Sequence, residues 1–138
     1  MRIPYLIILT AIFLISCGQD AQQSENLNAN DMMVRISEIE IEPEFLEEYL
    51  AILNEESRAS VALEPGVISI YPMFQKENPT EIRILEIYLN RKAYEAHLET
   101  SHFKHYKTTT LNMVKSLKLV DMSSIDGASM PMIFKKIN

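Results

Sequence analysis

The spacing of apolar residues divides the chain from Met32 onward into short elements. Residues 32–41 are rich in Val and Ile and lack Gly and Pro, a composition typical of a strand. Pro43 suits a first helical position, and apolar residues then recur at intervals of three and four from residue 46 to 53. We therefore predict an amphipathic helix that continues toward Leu63.

Two further strands are predicted over residues 67–75 and 81–89, both apolar and rich in β-branched or aromatic residues. The polar segment 76–80, which contains a proline, predicts a hairpin between them. Asn90 is a good N-cap residue, so a short helix is expected to follow it as far as Leu98.

The C-terminal third predicts one more helix and one or two strands. Ser101 can cap a helix whose apolar face extends from Phe103 to Leu117. A fourth strand is predicted at residues 118–122, and a short fifth strand at residues 130–134.

This order of elements is the β-α-β-β-α-β pattern of an α+β, ferredoxin-like antiparallel sheet with helices on one face. The strands, however, are apolar on both faces: Ile82 and Ile84 alternate with Leu85 and Ile87. A sheet covered by helices on one side only should carry a polar second face. We therefore predict that a second copy of the sheet covers this face in a homodimer.

The N-terminus is typical of an export signal. Arg2 precedes an uncharged, mainly apolar run over residues 3–15, which is short for a membrane span. Leu14-Ile15-Ser16-Cys17 resembles a bacterial lipobox, which implies removal of residues 1–16 and lipid attachment to Cys17. An ordinary signal peptide with an unrelated cysteine is the alternative.

Residues 17–31 are predicted to connect this anchor to the folded domain. After Cys17 the segment contains three acidic residues, no basic residue and few apolar ones. Such a composition cannot bury enough surface to offset the entropy of ordering. We predict a flexible tether, a folded domain at residues 32–138, and an exported protein attached to a bacterial membrane by its lipid alone, on the periplasmic or cell-surface side.

Composition excludes several classes of protein. With 138 residues, 47% of them hydrophobic, the chain is long and apolar enough for one folded domain. The net charge of −6 argues against a nucleic-acid partner, and the single cysteine excludes an internal disulfide and a multi-cysteine metal site. Three glycines in the whole chain cannot form a glycine-rich phosphate or dinucleotide loop.

Three histidines within nine residues are the natural groups for proton transfer near neutral pH: His97, His102 and His105. His102 and His105 are three residues apart, so one helix face could present both to a metal ion. Glu99 is the only nearby carboxylate at helical spacing and no H-E-x-x-H motif is present, so we predict no metal site. The alternative is that these histidines are surface or interface residues.

Two polar residues interrupt the apolar strands. Glu86 shares a strand face with Ile84, so its carboxylate needs either a wet pocket or an ionic partner such as Arg35 or Arg83. Tyr71 lies in the middle of the second strand, where it is either a core tyrosine with a satisfied hydroxyl or a catalytic group.

The segment AHLETSHFKHY, residues 96–106, resembles the H-x-x-x-x-H-F motif of the antibiotic biosynthesis monooxygenase superfamily, especially its quinol monooxygenase branch. The other matching positions precede it in the family's order: Leu63-Glu64-Pro65-Gly66, Tyr71, Glu86-Ile87-Tyr88 and Ala93-Tyr94. The resemblance extends from Met32 to about Val120, and the family fold is a dimeric α+β barrel.

The resemblance implies a cofactor-independent monooxygenase that oxidises a quinol or phenol-like small molecule with O₂, without metal, flavin or haem. His97 or His102 would be the base, and Tyr71 and Glu86 would orient the oxygens of the ring. The haem-degrading branch is disfavoured, because the chain has no tryptophan and Lys107 stands about where that branch has a histidine ligand.

Two other functions remain open at this stage. The first is a non-catalytic dimeric domain that binds a small apolar ligand or haem. The second is an isomerase-type enzyme of the same fold that transfers protons without O₂.

Overall fold

The computed structural model describes residues 30–136, apart from the side chain of Phe134. The predicted signal peptide, the lipobox with Cys17 and nearly all of the predicted tether lie outside the described residues. Within the described part of the chain, no helix is both long enough and apolar enough to cross a membrane.

The described residues form four strands and four α-helices in one chain order. The elements are β1 Met33–Ile41, α1 Leu46–Leu63, β2 Val67–Phe74, β3 Glu81–Tyr88, α2 Arg91–Leu98, α3 Ser101–Thr109, β4 Val114–Met122 and α4 Ser129–Lys135. A short 3₁₀ turn, Pro43–Phe45, leads into α1.

All strand pairs are antiparallel and the strand order is β2-β3-β1-β4. This is the ferredoxin-like α+β arrangement predicted from the sequence. Because directly opposed residues of antiparallel strands share a face, the register divides the sheet into two faces. Ser37, Ile39, Ile84 and Glu86 lie on one face, which we call the inner face. Alternate residues such as Leu85 lie on the outer face.

The core lies between the inner face and helices α1 to α3. In β1 every second residue from Arg35 to Ile41 is buried, which is the period expected of a strand with one covered face. Tyr49 and Leu53 of α1 and Tyr88 of β3 are almost fully buried in this core. Asn90 caps α2 as predicted, since its side chain accepts a hydrogen bond from the Ala93 amide at 2.9 Å.

Three sequence predictions near the C-terminus were wrong. The residue that caps α3 is Thr100, whose hydroxyl accepts a hydrogen bond from the Phe103 amide at 3.3 Å, and not Ser101. Helix α3 ends at Thr109, so the residues up to Leu117 that were assigned to it belong to a turn and to β4. Residues 130–134 lie within helix α4 and not within a fifth strand.

Gly66 brings the end of α1 close to α2. A Cβ added at Gly66 would lie 2.5 Å from the Cβ of Ala93, so the two backbones approach more closely than any larger residue would allow. The Gly66 carbonyl also accepts a hydrogen bond from the Leu89 amide at 2.9 Å. The segment that ends α1 is thereby fixed against the start of α2.

Candidate functional site

One carboxylate connects two histidines at the end of helix α1. Glu64 is the residue that follows the last turn of α1, His97 lies in the last turn of α2, and His102 lies in the first turn of α3. The Glu64 Oε1 atom lies 3.0 Å from His97 Nδ1 and 2.6 Å from His102 Nε2. Three separate helices therefore contribute to one hydrogen-bonded group.

A second carboxylate, Glu56 of α1, lies on the other side of the His97 ring. Its Oε1 atom lies 3.7 Å from His97 Nε2 and accepts a hydrogen bond from the Ser60 hydroxyl at 2.8 Å. Glu56 and His97 are both buried, at 5% and 3% exposure. The imidazole of His97 is thus enclosed between two carboxylates, with a tautomer that the surrounding hydrogen bonds select.

The two carboxylates differ in their proton affinity. Burial raises the pKa of Glu56 above its ordinary value, although the Ser60 hydrogen bond and the two histidines act in the opposite direction. Partial burial raises the pKa of Glu64 too, but hydrogen bonds from His102 and His97 outweigh it, so the net pKa is lowered. Two carboxylates with opposite shifts on either side of one imidazole form an acid–base group.

Glu86 belongs to a separate polar cluster on the inner face. Its carboxylate accepts hydrogen bonds from the Ser37 hydroxyl and, at 2.9 Å, from the Tyr88 hydroxyl. Neither predicted ionic partner is used, since Arg35 pairs with Asp121 at 2.7 Å and Arg83 pairs with Glu81 at 3.1 Å. Glu86 is therefore held by two neutral donors.

A cavity of about 570 Å³ lies between the inner face and the helices. Its polar lining includes Glu56, Glu86 and His97, and Leu117 and Leu119 of β4 form part of its apolar wall. The two leucines are almost half exposed, so the cavity opens on the β4 side. A mainly apolar cleft with a few convergent polar groups is the usual form of a small-molecule site.

Burial of the cavity wall favours the neutral form of its tyrosines. Burial is the main cause that raises the pKa of Tyr88, and the nearby Glu86 carboxylate adds to it. Burial also raises the pKa of Tyr106 to about 12, although the hydrogen bond with Tyr49 acts against it. Both hydroxyls therefore keep their protons at neutral pH, and that of Tyr88 donates to Glu86.

A smaller pocket of about 310 Å³, which we call the outer pocket, lies beside the large cavity. His102 and His105 line it, and Glu56 and Tyr106 line both the outer pocket and the large cavity. Among the described residues, one group of three has the geometry to hold a metal ion, namely Glu64, His97 and His102. His105 is not part of it.

The four site residues predicted from the sequence fall into three places. His97 and Glu86 both line the large cavity, whereas His102 lines the outer pocket and reaches His97 through Glu64. Tyr71 is opposite Leu85 in the β2–β3 register, so it lies on the outer face, where it is 60% exposed. Within the chain, Tyr71 is therefore separated from the other three, contrary to the expected shared pocket.

Sequence reasoning missed Glu56 and Glu64 as site residues. In the sequence, Glu64 stands out only as part of the family motif Leu63-Glu64-Pro65-Gly66. Glu56 is one of several acidic residues on α1, and its burial beside Ser57 and Ser60 is the feature that distinguishes it. The serines that recur on the buried face of this helix are the signal that could have identified it.

The fold and this cavity define the class of protein: a ferredoxin-like α+β domain with a small-molecule site between sheet and helices. The family model described as antibiotic biosynthesis monooxygenase matches residues 32–109. The chain belongs to the antibiotic biosynthesis monooxygenase family.

Solved structures give the same result. A proposed antibiotic biosynthesis monooxygenase from Bacteroides thetaiotaomicron is 48% identical, with a TM-score of 0.71, over 72% of this chain and 94% of that one. A proposed monooxygenase from Lactobacillus acidophilus is 29% identical, with a TM-score of 0.65, over 67% of this chain but 44% of that one. A Nitrosomonas europaea protein at 23% identity and a TM-score of 0.66, over 70% of this chain and 92% of that one, shares the fold. The comparison with curated proteins gave no match.

Proposed function

We propose that this protein is a cofactor-independent monooxygenase that oxidises a quinol or phenol-like small molecule with O₂. The observation that supports this best is the large cavity, where Glu86 and His97 face a mainly apolar space of about 570 Å³. An aromatic ring fits such walls, and its hydroxyl groups need the few polar side chains at one end. Family membership supports the same reaction class.

The proposed reaction begins with removal of a phenolic proton. The resulting phenolate transfers one electron to O₂. The phenoxyl radical and superoxide then combine to a peroxide anion on a ring carbon, which takes the proton back from the base to give a hydroperoxide. Loss of water then leaves a quinone, so one oxygen atom of O₂ enters the product and the other leaves as water. The apolar wall keeps the phenolate and O₂ together and excludes water, which would solvate the anion.

His97 is the proposed base. Its Nδ1 atom faces the Glu64 carboxylate at 3.0 Å, an arrangement that places the ring hydrogen on Nδ1 and leaves Nε2 free to accept a proton. Glu64 and His102 orient the ring, and Glu56 beside Nε2 can receive the proton in turn. Glu86, held by Ser37 and Tyr88, orients a hydroxyl of the substrate.

The test is O₂ uptake by the purified full chain with a series of hydroquinones, using ¹⁸O₂ and mass spectrometry of the product. The expected result is uptake above the rate of autoxidation and one ¹⁸O atom per product molecule. His97→Asn should lower the rate by about 10²-fold, the usual contribution of a positioned base, while circular dichroism stays that of the native fold. Uptake equal to autoxidation for every hydroquinone would contradict the proposal.

A proton-transfer enzyme that uses no O₂ is the second candidate. The specific observation in its favour is the buried Glu56, whose carboxylate lies 3.7 Å from His97 Nε2 at the wall of the cavity and whose pKa is raised. Such a pair can take a proton from one carbon and return it to another. Exchange of ligand hydrogens with D₂O under anaerobic conditions, together with no O₂ uptake in a parallel aerobic experiment, would favour this candidate over the first.

We also propose that the folded domain is a homodimer in which outer face meets outer face. Tyr71, Met73 and Met122 lie on this face and are 60%, 39% and 49% exposed. Exposed apolar side chains gathered on one face are typical of an interface. Light scattering of the purified protein should give twice the chain mass at micromolar concentration, and a monomer would contradict the dimer.

For location, we propose an exported protein held at a bacterial membrane by a lipid on Cys17. The support for this is in the sequence: a charged start, a short apolar run and the lipobox-like Leu14-Ile15-Ser16-Cys17. A single lipid-bearing cysteine also accounts for the lone thiol of an exported chain.

A further inference from the structure

The side chains of Glu64, His97 and His102 converge on one point from three helices. Their ligand atoms, one carboxylate oxygen and two imidazole nitrogens, all lie within 4.8 Å of one another. Two of the three separations are 2.6 and 3.0 Å, both measured from Glu64 Oε1. We propose that these three residues bind one divalent transition-metal ion of the Zn²⁺ type, which enters through the outer pocket.

The donor set fits such an ion. Two histidines and one carboxylate with an open fourth position form a common zinc site, and the same set binds iron(II) in other proteins. With metal–ligand distances of about 2.0–2.1 Å, neighbouring ligands of a tetrahedral ion lie about 3.4 Å apart. Here the two distances to Glu64, 2.6 and 3.0 Å, are shorter than this value by less than 1 Å, and the 4.8 Å upper limit between the nitrogens is longer. The three side chains would therefore move by amounts of this size to bind the ion.

The outer pocket gives the ion a route from solvent. His102 lines this pocket and its side chain is 19% exposed, whereas His97 is buried behind it. Glu55, an exposed carboxylate, also lines the pocket, and its negative charge attracts a cation. Water in this pocket can occupy the open position of the ion.

The surroundings of His97 match those of a metal-bound histidine. A ligating imidazole usually donates its other N–H to a carboxylate, which fixes the ring. With Nδ1 on the ion, His97 Nε2 would carry that hydrogen and face Glu56 Oε1, which lies 3.7 Å away. Ser60 holds the same carboxylate oxygen at 2.8 Å.

This site has a consequence that rests on the proposed function. An ion on His97 Nδ1 leaves the ring hydrogen on Nε2, the atom that would have to accept the phenolic proton. Metal binding and proton abstraction by His97 therefore exclude each other. The ion is thus an inhibitor, and its local concentration would regulate the enzyme.

The experiment uses the full chain after treatment with a chelator, titrated with Zn²⁺ by isothermal calorimetry and with Co²⁺ by visible absorption. The expected result is one ion per chain and Co²⁺ bands of the intensity of four- or five-coordinate sites. Loss of a residue that only supports a metal ligand lowers metal affinity by about 10–100-fold. Loss of a ligand itself should cost more, so His102→Ala and Glu64→Gln should weaken Zn²⁺ binding by at least about 100-fold. His105→Ala is the matched control, since this exposed histidine lines the same pocket but lies outside the group.

Three outcomes would overturn the inference. These are the absence of Zn²⁺ binding by the folded wild type, equal weakening of Zn²⁺ binding by His105→Ala and His102→Ala, and Co²⁺ bands of a fully hydrated ion.

The metal site and the proposed monooxygenase function can fail separately. If Zn²⁺ binds through Glu64 and His102 but O₂ uptake is not lost, the proposed inhibition and the assignment of His97 as base are wrong. The metal site itself is then still supported. Uptake lost on addition of Zn²⁺ and restored by chelator would support both.

Discussion

Tyr71 and Glu86 lie on adjacent strands but on opposite faces of the sheet. Tyr71 is opposite Leu85 and its neighbour Ile70 is opposite Glu86, so one step along β2 moves a side chain from the cavity to the outer face. Both residues resemble family site positions, yet the large cavity of the chain contains only Glu86.

This separation leads to opposite expectations for two conservative variants. Glu86→Gln removes the charge that would hold a substrate hydroxyl and should lower kcat/KM for a hydroquinone by about 10²-fold, in the range of a positioned polar group. Tyr71→Phe removes a hydroxyl on the far side of the sheet and should leave this constant unchanged. Steady-state O₂ uptake measures both, and equal losses in the two variants would place Tyr71 in the site through the partner of a dimer.

Gly66 and Ala93 provide a test of how the end of α1 is held against α2. Gly66→Ala places two Cβ atoms 2.5 Å apart and should lower the free energy of unfolding by about 1–3 kcal/mol, the usual cost of overpacking. Ala93→Gly alone should cost about 1 kcal/mol, because glycine is a weak helix former.

The double variant distinguishes steric contact from a general weakening. Since glycine at position 93 removes the clashing atom, Gly66→Ala with Ala93→Gly should be more stable than the sum of the single variants indicates. Urea denaturation of all four proteins measures this coupling. If the effects of the two single variants simply add, the close approach to Ala93 is not the reason for glycine at position 66.

The buried tyrosines predict a loss of stability in alkali. Burial and the neighbouring Tyr106 raise the pKa of Tyr49 far above its ordinary value, so the folded state keeps a proton that the unfolded chain releases above about pH 10. The unfolded state then binds fewer protons than the folded one, and the free energy of unfolding falls as pH rises. Each such tyrosine contributes a slope of about −1.4 kcal/mol per pH unit in this range.

In Tyr49→Phe the free energy of unfolding should therefore fall less steeply above pH 10. The slope should differ by the contribution of one proton, about 1.4 kcal/mol per pH unit. Denaturation midpoints between neutral pH and strong alkali measure the slope. Ile84→Val is the matched control: it removes one buried methyl group, costs about 0.5–1.5 kcal/mol and should do so equally at every pH. An unchanged slope in Tyr49→Phe would show that its hydroxyl ionises in the folded protein.

Cys17→Ala tests the proposed membrane attachment. The variant should lose labelling by a lipid precursor and should stay uncleaved or become soluble, because the modified residue is missing. Labelling of cells with an alkyne fatty acid, followed by membrane fractionation, gives both readouts. Ser24→Ala, in the predicted tether, is the control that should be processed normally. A cleaved and lipidated Cys17→Ala protein would disprove the lipobox assignment.

Most of the fold could be predicted because its elements carry strong local signals. The strand at β1 and the capping of α2 by Asn90 follow from the sequence and are found in the structure. The α3–β4 boundary was not predictable in this way. Apolar residues from Phe103 to Leu117 also fit helical spacing, and pairing with β1 from Val114 onward overrides that local pattern.

The site was predicted less completely, for a geometric reason. His97 and Glu86 stand out as polar residues in apolar or histidine-rich surroundings. Glu56 and Glu64 look like ordinary helix-surface acids, and only the packing of α1 against α2 and α3 brings them to the histidines. Contacts between residues 33 and 41 positions apart, as here, have no local pattern.

The open side of the cavity has a consequence for divergence and redesign within this fold. Leu117 and Leu119 stand on β4, at the edge of the sheet, whereas Glu86 comes from β3 and Glu56 and His97 come from the helices. Substitutions at these two positions alter the width and shape available to a ligand without disturbing a single hydrogen bond of the histidine and carboxylate group. A lineage, or an engineer, can thus change at β4 which small molecule the cavity accepts while the histidine and carboxylate group stays unchanged.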